Sequence, residues 1–331
     1  MIMEMREMKL WESYDRGLIH ASTRMVVPPM ATQSGSDGFP GPRTVRHYVE
    51  LARNERVGLL FTEHSYIARQ GKADPWQLGF ETDEVIPFQQ RLTEAVHDVH
   101  PGILFFAQIS HAGVNTSEAV TGEELVSASE IAGQGGISRA LTIPEIRELE
   151  EKFAEAALRV KKSGYDGVEI HSAHGYLLNQ FYSPLTNDRR DVYGAGSLEN
   201  RTRFLVETVA AVRRAVGPDF PVAVRLGGCD YMDGGSTVDD AARTSVLLEQ
   251  AGVDLIDLSG GLCIYMRPGH REAGWFSDMS RAVKEKVKTP VILTGGVRTP
   301  DEAETLLEEG AADFIGVGRA MLQNPAWGLD Y

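Results

Sequence analysis

The chain has 331 residues, of which 42% are hydrophobic and 24% are charged, an ordinary composition for a soluble globular protein. Its net charge of −14 disfavours nucleic acid and anionic membranes as general partners. Two cysteines are too few for a disulfide framework, an iron–sulfur cluster or a four-cysteine zinc site. The N-terminal segment has no apolar signal core and no apolar run of about 18 residues occurs, so we expect no membrane span and a cytoplasmic location.

Strand-like and helix-like segments alternate along the sequence. Short apolar runs predict strands at 24–30, 57–63, 102–110, 165–171, 221–226, 253–258, 290–293 and 313–317. Helical spacing or a helix-capping signal predicts helices at 43–56, 83–99, from Thr142, at 200–216, 237–250 and 276–288, from Thr299, and finally toward Trp327. The polar, glycine-rich stretch 112–141 predicts a long excursion after the third strand. Eight such units favour a closed, parallel (β/α)8 TIM barrel over an open doubly wound sheet.

Polar side chains follow several predicted strands. The C-terminal ends of parallel barrel strands share one face, so these side chains should lie together. Their amide, imidazole and guanidinium groups suit a planar heterocycle with carbonyls and ring nitrogens, or an anionic substrate oxygen. A phenol in the same set can donate a proton. The residues are Gln108, His171, His174, Tyr176 and Arg225.

The last two predicted strands end in the glycine-containing pairs Gly295-Gly296 and Gly318-Arg319. Barrels often bind phosphate with these two loops, because glycine lets backbone N–H groups approach closely and an arginine adds charge. Tight turns without a ligand would use the same glycines. The pattern alone therefore leaves both interpretations open.

Other interpretations of the polar residues are also open at this stage. His171 and His174 could bind a metal ion, but the nearby third ligand would be Glu169, inside the strand, and no His-Glu-x-x-His spacing is present. Arg225, if buried in the barrel, needs an anion, either a ligand or Glu169. Tyr176 could simply be packed, as most tyrosines after a strand are.

Longer motifs resemble one known family. The stretch HSAHGYLLNQF at 171–181, followed by SPLTN at 183–187 and by 193–201, closely resembles the Old Yellow Enzyme family of flavin-dependent ene-reductases. Further matches are Pro29-Met30, AQISHAG around Gln108, AVRLGG around Arg225, TGG at 294–296 and GVGR at 316–319. The resemblance covers nearly the whole chain in order.

The resemblance implies a barrel that binds FMN noncovalently and is reduced by NADPH or NADH. The cofactor-binding residues would be Pro29, Met30 and Ala31 along the flavin ring, Gln108 and Arg225 at its pyrimidine half, and Gly295, Gly296, Gly318 and Arg319 toward the phosphate. His171 and His174 would hydrogen-bond the carbonyl oxygen of an α,β-unsaturated substrate. Tyr176 would deliver a proton to its α-carbon. A metal ion is then not needed to explain the histidines.

Two residues depart from the family pattern. Ala31 stands where members often carry a threonine or cysteine that tunes the flavin, so the flavin potential is in question. His64 stands where a small residue is common and is expected to touch the flavin or narrow the pocket. We also expect the bulk of Trp76, Tyr182 and Trp275 to decide which substrate fits.

The domain organisation is expected to be simple. Multidomain relatives continue past the barrel with an iron–sulfur motif and a second dinucleotide-binding domain. We expect residues 1–331 to form a single FMN-binding domain that takes electrons directly from a pyridine nucleotide or from a separate protein. A piece of a multidomain protein would have the same sequence. Family members are often dimers or tetramers, so a homo-oligomer is compatible with the resemblance.

The sequence thus predicts an FMN-dependent NAD(P)H oxidoreductase that reduces the C=C bond of α,β-unsaturated carbonyl compounds. The same barrel acting on an enoyl-CoA, a steroid-like enone or an amine is an alternative, as is a catalytic subunit that needs a reductase partner. A flavin-free phosphate-binding lyase or isomerase is a further alternative. The array of Gln108, His171, His174 and Arg225 argues against it, because a phosphate site alone does not require that array.

Overall fold

Eight parallel strands form a closed barrel in the computed structural model, which describes residues 7–331. Residues 1–6 lie outside the described residues. They belong to the N-terminal segment for which we expected no signal peptide. The strands are β1 (Met25–Val27), β2 (Leu59–Phe61), β3 (Leu104–Ser110), β4 (Gly167–Ser172), β5 (Val222–Cys229), β6 (Leu255–Gly260), β7 (Val291–Thr294) and β8 (Phe314–Gly316). Each pairs with the next, and β8 pairs with β1, so the predicted barrel is confirmed.

A helix follows each strand along the chain. These helices are α1 (Pro42–Ala52), α2 (Ile86–Val99), α3 (Ile143–Lys162), α4 (Leu198–Val216), α5 (Val238–Gln250), α6 (Ser277–Lys284), α7 (Pro300–Glu308) and α8 (Arg319–Gln323). The predicted capping signals at Thr142 and Thr299 both form capping boxes. Helix α6 ends at Lys284, earlier than predicted, and beyond it the backbone N–H groups of Lys288 and Thr289 donate to the Glu249 carboxylate rather than to helix carbonyls.

Three segments outside the repeating units shape the two ends of the barrel. The predicted excursion after β3 contains an antiparallel hairpin, Ala132–Gly133 with Gly136–Ile137. A second long loop lies between β6 and α6, where the predicted strand and helix also left a gap. An N-terminal hairpin, Tyr14–Arg16 with Ile19–Ala21, was missed. Among the helices of residues 7–331, none is long and apolar enough to cross a membrane.

The barrel interior consists of two layers with different chemistry. The lower layer is apolar and is closed from below by the N-terminal hairpin. It consists of Tyr14, Ile19, Ala21, Val26, Leu59, Phe61, Phe106, Ala223, Leu255, Ile292 and Phe314. The upper layer consists of the buried polar residues Gln108, Glu169, Arg225 and Asp257. On β3, β5 and β6 the two layers are two residues apart, because side chains alternate across a strand and every second one faces inward.

Candidate active site

A cavity of about 1470 Å³ opens above the upper layer, at the C-terminal ends of the strands. Typical small-molecule pockets have volumes of roughly 300–1,000 Å³, so this one has room for a nucleotide-sized cofactor and a second ligand. All twelve residues proposed from the sequence line it: Pro29, Met30, Ala31, Gln108, His171, His174, Tyr176, Arg225, Gly295, Gly296, Gly318 and Arg319. The structure therefore brings the whole predicted set together.

Two imidazoles and a phenol form one wall of this cavity. His171 is the penultimate residue of β4, and the chain then turns sharply, with positive φ values at His174 (59°) and Gly175 (71°). The side-chain amide of Asn179 holds the turn by accepting a hydrogen bond from the Gly175 N–H (2.8 Å). As a result, the ring of His171 lies 5.1 Å from that of His174 and 4.9 Å from that of Tyr176.

Burial keeps these three groups uncharged at neutral pH. It lowers the pKa of His171 and His174 well below the usual histidine value, and for His171 the neighbouring His174 acts in the same direction. Burial, followed by the carboxylate of Asp74, raises the pKa of Tyr176 to about 12. The wall therefore offers neutral hydrogen-bond donors and a phenol that keeps its proton.

The two imidazoles differ in their protein contacts. His174 Nε2 lies 2.7 Å from the hydroxyl of Ser259, at the end of β6. His171 Nδ1 is buried and has no hydrogen-bond partner within residues 7–331. Such orphaned polar atoms are uncommon in protein interiors, so this nitrogen points to a ligand.

The upper layer settles which anion accompanies Arg225. Arg225 Nε lies 3.3 Å from Asp257 Oδ2 on the neighbouring strand, in direct register with it. Glu169 instead accepts a hydrogen bond from Gln108 Nε2 (2.6 Å), also in register. The alternative that paired Arg225 with Glu169 is therefore wrong, and Asp257 was missed. The sequence could have indicated Asp257, because it is an acidic residue two positions after Leu255 in the apolar strand LIDLSG and so faces the same side of that strand.

Burial shifts the pKa of both acids in the upper layer. Burial raises the pKa of Asp257 to about 6, while the Arg225 guanidinium opposes this rise. Burial, together with the negative charge of Asp257, raises the pKa of Glu169 well above its usual range. Burial therefore favours the protonated form of both acids, and the nearby Arg225 guanidinium opposes this for each of them.

Glycines open the opposite end of the cavity. Gly295 and Gly296 have φ values of 146° and 73°, and a Cβ at Gly295 would collide with the indole of Trp275. Arg319 begins α8 with its guanidinium 5.4 Å from the Trp275 ring centre. Trp275 Nε1 and Thr294 Oγ1 are buried without hydrogen-bond partners in the described part of the chain. This end therefore combines close backbone approach, a cation and unused polar atoms.

The bulky residues expected to choose the substrate fall in different places. Trp275 lines the cavity at its glycine end. Trp76 is half exposed and lies outside the cavity lining, and the buried Tyr182 donates its hydroxyl proton to the Gly228 carbonyl. Two of the three are therefore not in position for that role. His64 does line the cavity. Thr32 is not among the lining residues, and its hydroxyl donates a hydrogen bond to the Glu63 carboxylate.

The residues present fit FMN better than a metal ion. No group of three histidine, cysteine or acidic side chains within 7–331 is arranged to hold a metal. In contrast, buried polar atoms of His171, Thr294 and Trp275 have no hydrogen-bond partner there, and these residues line one cavity together with Arg225. A ligand with a polar ring system at one end and a phosphate at the other would satisfy them.

Comparison with known proteins identifies the family. Residues 10–329 match the NADH:flavin oxidoreductase / NADH oxidase family. The NADH oxidase of Thermoanaerobacter brockii is 39% identical over 92% of this chain and 48% of its own length. The NADPH dehydrogenase of Halalkalibacterium halodurans is 34% identical over 97% of this chain and 93% of its own length.

A solved structure agrees with the sequence relatives. The Old Yellow Enzyme homologue of Zymomonas mobilis superimposes with a TM-score of 0.82, at 27% identity over 96% of this chain and 90% of that chain. The chain spans about half the length of the first curated relatives, at 48% and 46% of their residues. The chain belongs to the NADH:flavin oxidoreductase / NADH oxidase family, and its barrel is similar to that of an Old Yellow Enzyme homologue.

Proposed function

We propose that the chain reduces the C=C bond of α,β-unsaturated carbonyl compounds with electrons from NADPH or NADH. One observation carries the proposal: two neutral imidazoles and a protonated phenol lie on one wall of a cofactor-sized cavity. The ring centre of His171 is 5.1 Å from that of His174 and 4.9 Å from that of Tyr176. This set can polarise a carbonyl and donate a proton from neighbouring positions.

FMN is the cofactor that the cavity would hold. The residues we assign to the flavin ring are Pro29, Met30, Ala31, Gln108 and Arg225, and those we assign to the phosphate are Gly295, Gly296, Gly318 and Arg319. When bound, FMN supplies the chemistry of hydride transfer from the nicotinamide to the substrate β-carbon. Asp257 has a supporting role, because its contact with the Arg225 guanidinium holds that cation in the cavity lining.

His171 and His174 would bind the substrate by donating hydrogen bonds to its carbonyl oxygen. A donor at this oxygen stabilises the negative charge that develops there as hydride reaches the β-carbon. Neutral imidazoles are suited to this role, since they hold the oxygen without transferring a proton to it. The buried Nδ1 of His171, without a partner in the described residues, supports this assignment.

Tyr176 would supply the proton. Its raised pKa, about 12, keeps the proton on the phenol oxygen until the α-carbon acquires carbanion character. Hydride at the β-carbon and a proton at the α-carbon together add one H2 across the double bond. The resulting phenolate would then be reprotonated from solvent through the cavity mouth.

We propose further that residues 1–331 act as one domain and accept electrons directly from the nucleotide. The NADPH dehydrogenase of H. halodurans supports this, because the chain covers 93% of that relative. Other relatives are about twice as long as this chain. Direct reduction by the nucleotide is therefore part of the proposal. Turnover of NADPH by the isolated chain would distinguish the two cases.

The test is the variant Tyr176→Phe, followed anaerobically by flavin absorbance in two half-reactions. Reoxidation by 2-cyclohexenone should slow by about 100-fold or more, the usual contribution of a positioned general acid. Reduction by NADPH should change less than about twofold, since that step needs no proton from Tyr176. Tyr182→Phe is a matched control, because its hydroxyl donates to the Gly228 carbonyl outside the cavity. Equal slowing of both half-reactions in Tyr176→Phe would remove Tyr176 from the proton-donor role.

A further inference from the structure

A third imidazole lies in the substrate end of the cavity. His64 follows β2 and lines the cavity beside the two histidines already assigned. Its ring centre is 6.1 Å from that of His171, with only 30° between the ring planes, and 5.2 Å from that of Tyr176. The proposed reaction uses none of its atoms, so its presence there calls for a separate account.

The hydrogen bonds around His64 determine which ring nitrogen carries the proton. The carbonyl oxygen of the buried Gln77 side chain accepts from the Ala73 backbone N–H (2.6 Å), which fixes the orientation of the amide. Its NH2 group therefore faces His64, where it donates to the backbone carbonyl (3.0 Å) and to Nδ1 (2.7 Å). Because Nδ1 is an acceptor, the proton of the neutral ring lies on Nε2. Nε2 is thus a donor on the side of the ring away from Gln77.

Burial keeps this imidazole neutral. It lowers the pKa of His64 to about 4, the Asp74 carboxylate at the cavity rim acts in the opposite direction, and Arg225 acts in the same direction. At neutral pH the ring is therefore a single N–H donor without charge. It cannot attract an anion strongly, but it can recognise an acceptor oxygen.

We propose that His64 is a third substrate-binding donor, and that it selects substrates with a second acceptor oxygen beyond the carbonyl held by His171 and His174. The two nearly parallel imidazoles, His64 and His171, flank the same part of the cavity and can each contact one end of a small ring. The chemical class is a C=C bond conjugated to two carbonyl oxygens, as in ene-diones and quinones. The assignment rests on the proposed function, because it places this substrate at the same wall.

Three substitutions separate the Nε2 donor from the rest of the side chain. His64→Asn keeps a polar group where Nδ1 meets Gln77 but has nothing at the Nε2 position. His64→Gln extends an amide donor to about that position. His64→Phe keeps the ring volume and removes both nitrogens. The first pair thus tests hydrogen bonding, and the third variant tests whether His64 only narrows the pocket.

The experiment measures the affinity of two unreactive probes by titration of the bound flavin spectrum. Phenol has one oxygen, and 4-hydroxybenzaldehyde has two at opposite ends of its ring. His64→Asn and His64→Phe should lower the affinity for 4-hydroxybenzaldehyde about 10-fold, which corresponds to the loss of one hydrogen bond. They should lower the affinity for phenol less than about threefold. His64→Gln should retain most of the wild-type preference between the two probes.

Equal weakening of both probes, or equal behaviour of the Asn and Gln variants, would overturn the assignment. The FMN-to-protein ratio of each variant checks that the barrel is intact, and if His64→Phe does not fold, the Asn and Gln pair still decides. Wild-type protein is assayed in parallel for reoxidation by 2-cyclohexenone. If the wild type is not reoxidised by 2-cyclohexenone, the proposed function is contradicted. If His64→Asn keeps the wild-type preference between the two probes, only the role of His64 is contradicted.

Discussion

The two layers of the barrel interior are built by the same strands and yet have opposite properties. Strand β5 places Ala223 in the lower layer and Arg225 in the upper one, and β6 does the same with Leu255 and Asp257. The lower layer buries apolar surface and is closed by the N-terminal hairpin. The upper layer buries charges under a large cavity. A step of two residues along a strand therefore separates the part that stabilises the barrel from the part to which we assign binding of the flavin ring.

The energetic roles of the layers differ accordingly. Each large side chain of the lower layer contributes about 1.5–3 kcal/mol through burial alone. A buried ion pair such as Arg225 with Asp257 gains little net stability, because its attraction is offset by the loss of hydration. Breaking the pair is nevertheless costly, since it leaves one buried charge uncompensated. We therefore attribute the upper layer to binding of the flavin ring above it rather than to stability.

Removing Asp257 should have the largest effect and should distinguish the layers. Asp257→Ala leaves the Arg225 guanidinium buried without its anion, so unfolding free energy should fall by about 3–5 kcal/mol, and FMN affinity should fall with it. Leu255→Ala, two residues earlier, should cost about 2–5 kcal/mol by opening a cavity while leaving FMN affinity near wild type. Urea unfolding and FMN fluorescence titration measure both quantities. Equal FMN affinities in the two variants would show that the layers are not functionally distinct.

The pH dependence of stability offers a smaller, sharper comparison. The pKa of His64 is about 4 in the folded state, against 6.5 for an ordinary histidine, so between these values the unfolded chain binds more protons. The contribution of His64 to stability should therefore fall as the pH drops from 6.5 toward 4, by at most about 1.4 kcal/mol per pH unit. Asp257, whose pKa is raised to about 6, acts in the opposite direction, so only a difference between variants isolates His64.

The measurement compares urea unfolding of wild type, His64→Phe and Leu255→Ala at several pH values. The difference between wild type and His64→Phe should shrink toward acid pH, because the variant has no imidazole to protonate. The difference between wild type and Leu255→Ala should stay constant, because Tyr14, the titratable member of the lower layer, has a pKa raised above the usual tyrosine value and does not titrate in this range. A constant difference for His64→Phe would mean that this ring is not held neutral by burial.

Much of this arrangement was predictable from the sequence, for identifiable reasons. Apolar runs of strand length alternate with segments that have helical spacing or a capping signal such as Thr142. That regular alternation predicts the barrel. Strand ends in a parallel barrel share a face, so His171 and Arg225 could be placed in one site before any contact was known. The same regularity placed Gly296 and Arg319 at one end of that site.

Other features depend on contacts that no local pattern encodes. Asp257 as the partner of Arg225 follows from the register between two strands, which the sequence does not specify. The tautomer of His64 depends on Gln77, thirteen residues away, and on the loop that carries it. The N-terminal hairpin has strands of only three residues, too short for an alternating pattern to identify. Positions of Trp76 and Tyr182 relative to the cavity likewise required the folded chain.

The most direct test of the central claim is the visible spectrum of the purified protein, recorded anaerobically before and after NADPH and then after 2-cyclohexenone. We predict a flavin spectrum that bleaches with NADPH and returns with the enone. Bleaching without recovery would contradict the ene-reductase proposal and redirect the search to other oxidants. A colourless protein that cannot be reconstituted with FMN would contradict the assignment of the cavity to this cofactor.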